Sequence, residues 1–195
     1  MLLDALTALL EADCDVVGTV GDGRTLLEEF ARLHPDVVLL DVAMPLLNGL
    51  DAGRRLKAQR PAVALIYLTM NPDPEVASEA LRLGASAYVL KSSAVHELKQ
   101  AIQEALRGRS YITPMITRDV VGTLLEGRTE RSALTPRQRE VLQLLAEGKS
   151  MKEVAAILGL TPRTVAFHKY QMMRDLHLAS SAELVKFAIR EGLVA

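Results

Sequence analysis

Three side chains that suit phosphoryl chemistry close apolar runs in the first half of the chain. Asp41 closes the run at residues 37–40, and Thr69 and Lys91 close two later runs. If these runs are parallel strands, their carboxyl ends meet at one edge of a sheet. A carboxylate beside an ammonium and a hydroxyl suits a phosphoryl acceptor, because the lysine neutralises phosphate oxygens and the hydroxyl hydrogen-bonds one. Taken alone, a carboxylate at a strand end is equally compatible with a position that does no chemistry.

Alternating strand and helix patterns over residues 1–107 would position these side chains. Strands alternating with helices of this length indicate a parallel sheet with helices on both faces. The pattern begins with a helix, although a unit of this type should begin with a strand. The predicted strands are 16–20, 37–41, 63–69 and 87–91, and the predicted helices are 2–11, 24–34, 50–59, 75–83 and 95–107.

The rest of the chain changes character. Residues 108–133 mix polar residues and glycine with a short apolar patch, which indicates a linker with a helix in its middle. Residues 134–195 carry no strand signal and read as four helices. Their predicted starts carry N-cap signals, which are the pairs Thr135…Gln138, Ser150…Glu153 and Ser180…Glu183 and the dipeptide Thr161-Pro162.

Composition bounds the classes of function. The 195 residues are 49% hydrophobic and 24% charged, which is ordinary for a globular protein. No apolar run approaches the roughly 18 residues of a membrane span, and the amino terminus lacks a secretion signal, so we expect a cytoplasmic protein with no membrane partner. The single cysteine, Cys14, excludes an internal disulfide and a cysteine-rich zinc site. Residues 1–107 hold 10 basic and 15 acidic residues and residues 134–195 hold 9 and 6, so two domains with different partners are expected.

The second half contains a helix-turn-helix pattern. Helices predicted at 151–158 and 162–176 are joined by Gly159-Leu160-Thr161, a short turn with glycine. When the second helix is projected at about 100° per residue, an apolar set forms one face and an exposed set the opposite one. The apolar face holds Val165, Met172 and Leu176.

The exposed set suits the major groove of DNA. Arginines hold phosphates or guanine edges, and small or aromatic side chains touch thymine methyl groups. A helical hairpin that binds protein through an aromatic pair is the alternative. The residues expected to face the major groove are Arg163, Ala166, Phe167, Tyr170 and Arg174. The residues expected to contact the DNA backbone are Lys152, Thr161, Thr164, His168 and Lys169.

The carboxyl-terminal part resembles the LuxR-type DNA-binding domain over residues 134–195, which implies DNA binding. Asp175 stands where that family usually has lysine, and Tyr170 where many members have a polar or basic residue, so the target sequence is not predictable. The matching segments are 134–142 (Leu-Thr-Pro-Arg-Gln-Arg-Glu-Val-Leu), 146–150 (Ala-Glu-Gly-Lys-Ser), 152–155 (Lys-Glu-Val-Ala), Thr164-Val165, His168 and 182–185 (Ala-Glu-Leu-Val).

The amino-terminal part resembles response-regulator receiver domains. The matching segments are 35–45 (Pro-Asp-Val-Val-Leu-Leu-Asp-Val-Ala-Met-Pro), Asn48-Gly49, 68–70 (Leu-Thr-Met), Gly84-Ala85 and 88–91 (Tyr-Val-Leu-Lys). With the LuxR-type segment, the whole chain is similar to bacterial NarL/FixJ-family response regulators. This resemblance implies a flavodoxin-like α/β receiver and a homodimer that regulates transcription without being an enzyme. It implies that Asp41 accepts phosphate from a sensor histidine kinase, that Thr69 and Tyr88 form the switch pair, and that Lys91 holds the phosphate.

The chain departs from the receiver pattern at its start. Receivers begin with a strand that ends in two acidic residues, which hold Mg²⁺ beside the acceptor, but residues 2–10 match the following helix. Mg²⁺ at Asp41 is therefore expected from the family and not from this sequence. Three explanations stay open: a start assigned too late, a naturally shortened regulator, and a strand supplied by another chain. In the second case the receiver is only a dimerisation or ligand module and DNA binding ignores phosphorylation. A flavodoxin-like enzyme has little support, because no glycine-rich phosphate loop and no base beside a nucleophile are present.

Overall fold

The computed structural model describes residues 2–126 and 134–194. Its first part runs α1 (Leu2–Leu10), α2 (Gly23–Leu33), β1 (Val37–Asp41), α3 (Gly49–Gln59), β2 (Ala64–Thr69), α4 (Pro74–Arg82), β3 (Ala87–Leu90), α5 (Ala94–Leu106), β4 (Tyr111–Ile112) and α6 (Pro114–Leu125). Its second part runs α7 (Pro136–Ala146), α8 (Met151–Leu158), α9 (Pro162–Asp175) and α10 (Ser181–Arg190).

The four strands form one parallel sheet in the order β1-β2-β3-β4. Side chains alternate between its faces because successive residues of a strand point to opposite sides. Leu40, Tyr67 and Tyr88 face a core formed with α2, α3, α4 and α6. Ile66 and Val89 face the opposite core, formed with α1 and α5. Both faces are therefore covered, which confirms the predicted α/β class.

Two elements differ from the prediction. Residues 16–20, predicted as a strand, form none, so β1 is the outer strand of the described sheet. That prediction was wrong because an extended apolar run becomes a strand only when a neighbour accepts its hydrogen bonds. Conversely, β4 and α6 lie within the predicted linker, and α6 packs on α4. Residues 127–133 of that linker lie outside the described residues, and the predicted domain limits stay predictions.

The second part is a four-helix domain, as predicted. Its core includes Val154, Val165 and Met172, which are fully or almost fully buried. Reciprocal capping boxes start α7 and α8, because the Thr135 and Ser150 side chains accept backbone N–H groups while Gln138 and Glu153 reach back. At α10 the box is half formed, since Ser180 accepts from the Glu183 amide but the Glu183 carboxylate accepts from Ala179. No helix among the described residues is long and apolar enough to cross a membrane.

Candidate phosphoacceptor site and nucleic-acid interface

Asp41 lies at the carboxyl edge of the sheet and contacts Lys91. One carboxylate oxygen forms an ion pair with Lys91 Nζ, and the other accepts a hydrogen bond from the Ala43 amide at 3.1 Å. The Lys91 side chain is 15% exposed and the Asp41 side chain 35%, so the acceptor stays open to solvent on one side. The Lys91 amide also bonds the Thr69 carbonyl oxygen at 2.8 Å, which ties the two strand ends together. The topology thus brings Asp41 and Lys91 together, and their roles stay predictions.

The two predicted switch residues occupy different environments. Thr69 is 5% exposed, and its hydroxyl accepts the Asn71 amide at 3.1 Å within its own loop. Tyr88 is fully buried and belongs to the core that joins β2, α4 and α6. The structure thus places Thr69 at the strand edge and Tyr88 in the interior, and their role as a switch pair stays a prediction.

The described residues do not fit a Mg²⁺ site at this edge. They contain no group of three or more His, Cys, Asp or Glu side chains that is placed to hold a metal ion. Both oxygens of Asp41 already have protein partners. Because Mg²⁺ demands near-octahedral oxygen coordination, Asp41 alone is a poor ligand set.

The loop after Asp41 is tightly constrained. The Gly49 amide bonds the Val42 carbonyl oxygen at 2.9 Å, so α3 begins directly above the strand end. A Cβ atom on Gly49 would lie 2.2 Å from the Asp41 carbonyl oxygen, so the close approach requires glycine. Leu46 within the loop has φ of 63°, a left-handed conformation that a branched residue adopts only when its surroundings enforce it.

The carboxyl-terminal four-helix domain holds this loop through buried hydrogen bonds. Gln143 of α7 is fully buried, and its Nε2 donates to the Met44 carbonyl oxygen and to Glu147, both at 2.8 Å. Its Oε1 accepts the Asn48 amide at 2.8 Å. Glu147 accepts a hydrogen bond from the Leu46 amide at 3.0 Å, and the Leu46 side chain packs against the core of the four-helix domain. We call these contacts, together with the ion pairs below, the inter-domain clasp, which comprises Arg24, Met44, Leu46, Asn48, Asp51, Arg55, Arg139, Glu140, Gln143 and Glu147.

Ion pairs extend the clasp along α7. Arg139 binds both carboxylate oxygens of Asp51 at 3.0 to 3.2 Å, and the two side chains are 12% and 6% exposed. Glu140, 5% exposed, pairs with Arg55 and, at 3.4 Å, with Arg24. Because Asp51, Arg139 and Glu140 are desolvated, removing the partner of any of these three would cost more than breaking a surface pair.

Sequence reasoning missed the clasp. Arg139 and Gln143 on α7 and Glu147 at its C-cap recur every four residues, which is the spacing of an ordinary solvated helix face. Their partners lie about a hundred positions away, and Asn48 matched only as part of the receiver motif. The sequence therefore contained no local signal that this face is buried.

Helix α9 presents the predicted DNA-contact face to solvent. Phe167 and Tyr170 are 60% and 61% exposed, whereas Val165 and Met172 on the opposite face are fully buried. Lys169 lies over the Tyr170 ring, with 5.7 Å from Nζ to the ring centroid. Of the remaining predicted contacts, Lys152, Thr161, Arg163 and Arg174 are exposed, and Thr164, Ala166 and His168 are half-buried, with Nδ1 of His168 directed inward.

The fold and the two surfaces define a response regulator with a helix-turn-helix output domain. The family model "Response regulator receiver domain" matches residues 1–103, and "Bacterial regulatory proteins, luxR family" matches residues 132–188. The chain therefore belongs to the two-component response regulators with a LuxR-type DNA-binding domain.

Known proteins resemble it over nearly its whole length. The transcriptional regulatory protein MctR of Rhizobium johnstonii is 32% identical, covering 100% of this chain and 91% of MctR. The oxygen regulatory protein NreC of Staphylococcus carnosus is 33% identical, covering 93% and 88%. The RcsB response regulator of Salmonella typhimurium superimposes with a TM-score of 0.66 at 27% identity, covering 100% and 93%. A structure of two RcsB dimers bound to two parallel DNAs superimposes with a TM-score of 0.57 at 26% identity, covering 95% and 91%.

Proposed function

We propose that this chain is a DNA-binding transcriptional regulator that a sensor histidine kinase controls by phosphorylating Asp41. The observation that carries the proposal is that one short loop joins the acceptor to the DNA-binding domain. Residues 42–48 begin directly after Asp41, and α7 holds them through Gln143 and Glu147. A chemical change at Asp41 therefore acts on the second domain through a few backbone atoms.

At the acceptor site, Lys91 balances the negative charge of Asp41 and of the incoming phosphate. An Asp41 oxygen attacks the phosphorus of a phosphohistidine, the phosphorus–nitrogen bond breaks, and the aspartyl phosphate keeps its place beside Lys91. Lys91 exchanges the Asp41 carboxylate, which loses its charge when the phosphate is attached, for the charged phosphate oxygens. The Ala43 amide, which bonds Asp41 at 3.1 Å, must adjust to the new group, and this adjustment enters the loop that the clasp holds.

At the output, α9 is the candidate recognition helix. Its exposed aromatic and basic side chains suit base edges and phosphates in the major groove, and the Thr161 cap fixes where the helix starts. Two recognition helices on a homodimer would contact two half-sites, as a two-fold regulator requires. The clasp binds α7 and leaves Phe167 and Tyr170 of α9 exposed, so we expect it to set the position of the domain rather than to cover these two side chains.

Phosphorylation-independent control is the second candidate. It is favoured by the acceptor itself, because both Asp41 oxygens are engaged and the described residues bring no metal cluster to the edge. In that case the receiver acts only as a docking or dimerisation module, and DNA affinity does not depend on Asp41.

Incubation with acetyl phosphate and Mg²⁺, followed by a Phos-tag gel, separates the two candidates. We expect a shifted band for the natural chain and none for Asp41→Asn. DNA sites selected in vitro from a random pool would then be titrated with both forms, and phosphorylation should change the affinity of the natural chain alone. An unshifted band, with equal DNA affinity of the two proteins, would support the phosphorylation-independent candidate.

A second experiment tests the DNA interface. Arg163→Ala should weaken binding and lower the slope of log affinity against log salt by roughly 1, as loss of one phosphate contact requires. Lys186→Ala on α10 removes an exposed charge outside α9 and is the matched control. Equal effects of the two substitutions would remove Arg163 from the interface.

A further inference from the structure

Helix α6 has an apolar outer face as well as a buried inner one. Ile116 and Val120 on the inner face are 3% and 0% exposed and pack into the receiver core. Met115, Val121 and Leu125 are 69%, 44% and 82% exposed. At about 100° per residue these three fall within a stripe of roughly 120°. In the same projection the exposed Arg118 lies between Leu125 and Met115, so the stripe is apolar apart from one arginine. A surface helix normally carries mostly polar residues there, so a stripe with three exposed large apolar side chains indicates a contact.

A glycine lies in this stripe, between Arg118 and Met115. Gly122 is inside the helix, and nothing lies within 4 Å of the position that a Cβ atom would take. Glycine weakens a helix interior relative to alanine, and the described receiver gains no packing from it. A second helix that crosses at this point would gain from it, because the missing side chain lets two backbones approach closely.

The charges on this face favour an antiparallel copy of the same helix. Arg118 and Glu126 are both exposed, and they lie four residues before and four residues after Gly122. When two α6 helices cross antiparallel at Gly122, Arg118 of each copy faces Glu126 of the other, and two-fold symmetry forms the pair twice. A parallel pair would instead place the two Arg118 side chains together.

We propose that the outer face of α6 is a dimerisation surface for a second copy of this chain, with the two helices antiparallel and crossing at Gly122. The inference rests on the proposed function in one respect, namely that a dimer presents two recognition helices to two half-sites. One helix pair buries less than the roughly 1,600 Å² of a standard interface, so the contact is weak and DNA strengthens it.

Sedimentation equilibrium of the full chain measures the contact directly. Leu125→Glu should raise the dissociation constant of the dimer by roughly tenfold or more, because it replaces an exposed apolar side chain by a charge on each copy, one turn from the crossing point. Val95→Glu is the matched control, since Val95 on α5 is also exposed, at 58%. A natural chain that stays monomeric at its highest soluble concentration, or a dimer unaffected by Leu125→Glu, would overturn the proposal.

Charge reversal tests the antiparallel register. Arg118→Glu and Glu126→Arg should each weaken the dimer, and the double variant R118E/E126R should restore it. A parallel pair predicts no such restoration, so single losses without rescue would refute the register. Both positions are exposed, and circular dichroism would verify that the variants fold.

The two proposals fail separately. Leu125→Glu should keep its affinity for DNA that carries a single half-site, whereas Arg163→Ala should lose it while remaining dimeric. If Arg163→Ala loses DNA and Leu125→Glu stays dimeric, the DNA-binding function stands and the α6 surface is refuted.

Discussion

Replacing Gln143 with methionine tests whether the clasp couples the two domains. Methionine keeps the length and nearly the volume of glutamine, so packing is conserved while all hydrogen bonds of the amide are lost. The Met44 carbonyl oxygen loses its donor and the Asn48 amide loses its acceptor. Asn48 is only 2% exposed, so water cannot replace the lost acceptor while the clasp is closed.

The magnitude follows from these two backbone groups. An unsatisfied buried group costs about 1–3 kcal/mol, and Met44 is half-buried, so the closed form loses roughly 2–4 kcal/mol relative to the open form. Since 1.4 kcal/mol is a factor of ten, the open population rises by roughly 30-fold to several hundred-fold. The cost falls on domain association, because both backbone groups that lose a partner, the Met44 carbonyl and the Asn48 amide, lie in the receiver.

Amide hydrogen exchange measures this opening residue by residue. The amides of Leu46 and Asn48 donate to side chains of α7, so both should exchange faster in Gln143→Met by the factor above. The Val42 amide bonds within the receiver sheet and should not change. Lys149→Met, just beyond α7 and outside the clasp, is the control variant. Unchanged exchange at Leu46 and Asn48 would refute the reasoning, because the clasp would then contribute nothing to domain association.

Three further predictions concern stability. Gly53→Ala should lower the free energy of unfolding by about 1–3 kcal/mol in denaturant titrations, because the added Cβ would lie 1.9 Å from Tyr67 Oη. Adding Tyr67→Phe should restore most of the loss. If the effects of the two substitutions on the free energy of unfolding are additive, this explanation is wrong. Met172→Ala should cost about 2–5 kcal/mol, and calorimetry should assign the loss to the DNA-binding domain; a receiver transition that moves equally would contradict it. Hydrogen bonds from Ser150 hold the pKa of the Glu153 carboxyl below its ordinary value. The stability that these hydrogen bonds contribute is fully present above the unfolded-state pKa of about 4.3 and is lost as the pH falls through the lower folded-state pKa. Glu153→Gln should therefore flatten the acid limb of the thermal stability profile, and an unchanged limb would count against this assignment.

Local signals made much of the fold predictable. The strand Val37–Asp41 and the helix Met151–Leu158 have the predicted limits, because a strand-end turn and a capping box with a left-handed Gly159 mark their ends. The contact between Asp41 and Lys91 also followed, because parallel strands bring their carboxyl ends to one edge. Where the signal lay in residues close in sequence, the prediction needed no knowledge of the rest.

Structural features that depend on partners distant in sequence were not predictable. Residues 16–20 have strand composition, yet they form no strand beside β1 in the described sheet. The strand Tyr111–Ile112 is too short to show a period, and only the edge of β3 makes it a strand. The clasp is the extreme case, because Asn48 and Gln143 are joined across 95 positions and neither segment alone indicates the other. Burial of Tyr88 likewise depends on α6, which the sequence assigned to a linker.

Leu46 belongs by sequence to the receiver, but its side chain packs into the hydrophobic core of the DNA-binding domain. The module boundary in space therefore does not coincide with the boundary along the chain. A chimera joined between residues 126 and 134 would separate Leu46 from α7, leave an apolar side chain in water and open a gap in the foreign output domain. Receiver and output halves of such proteins should therefore be exchangeable only when loop 42–48 and the facing surface of α7 are transferred together. Recombination among relatives is thus constrained by Leu46, which lies far in sequence from the crossover point.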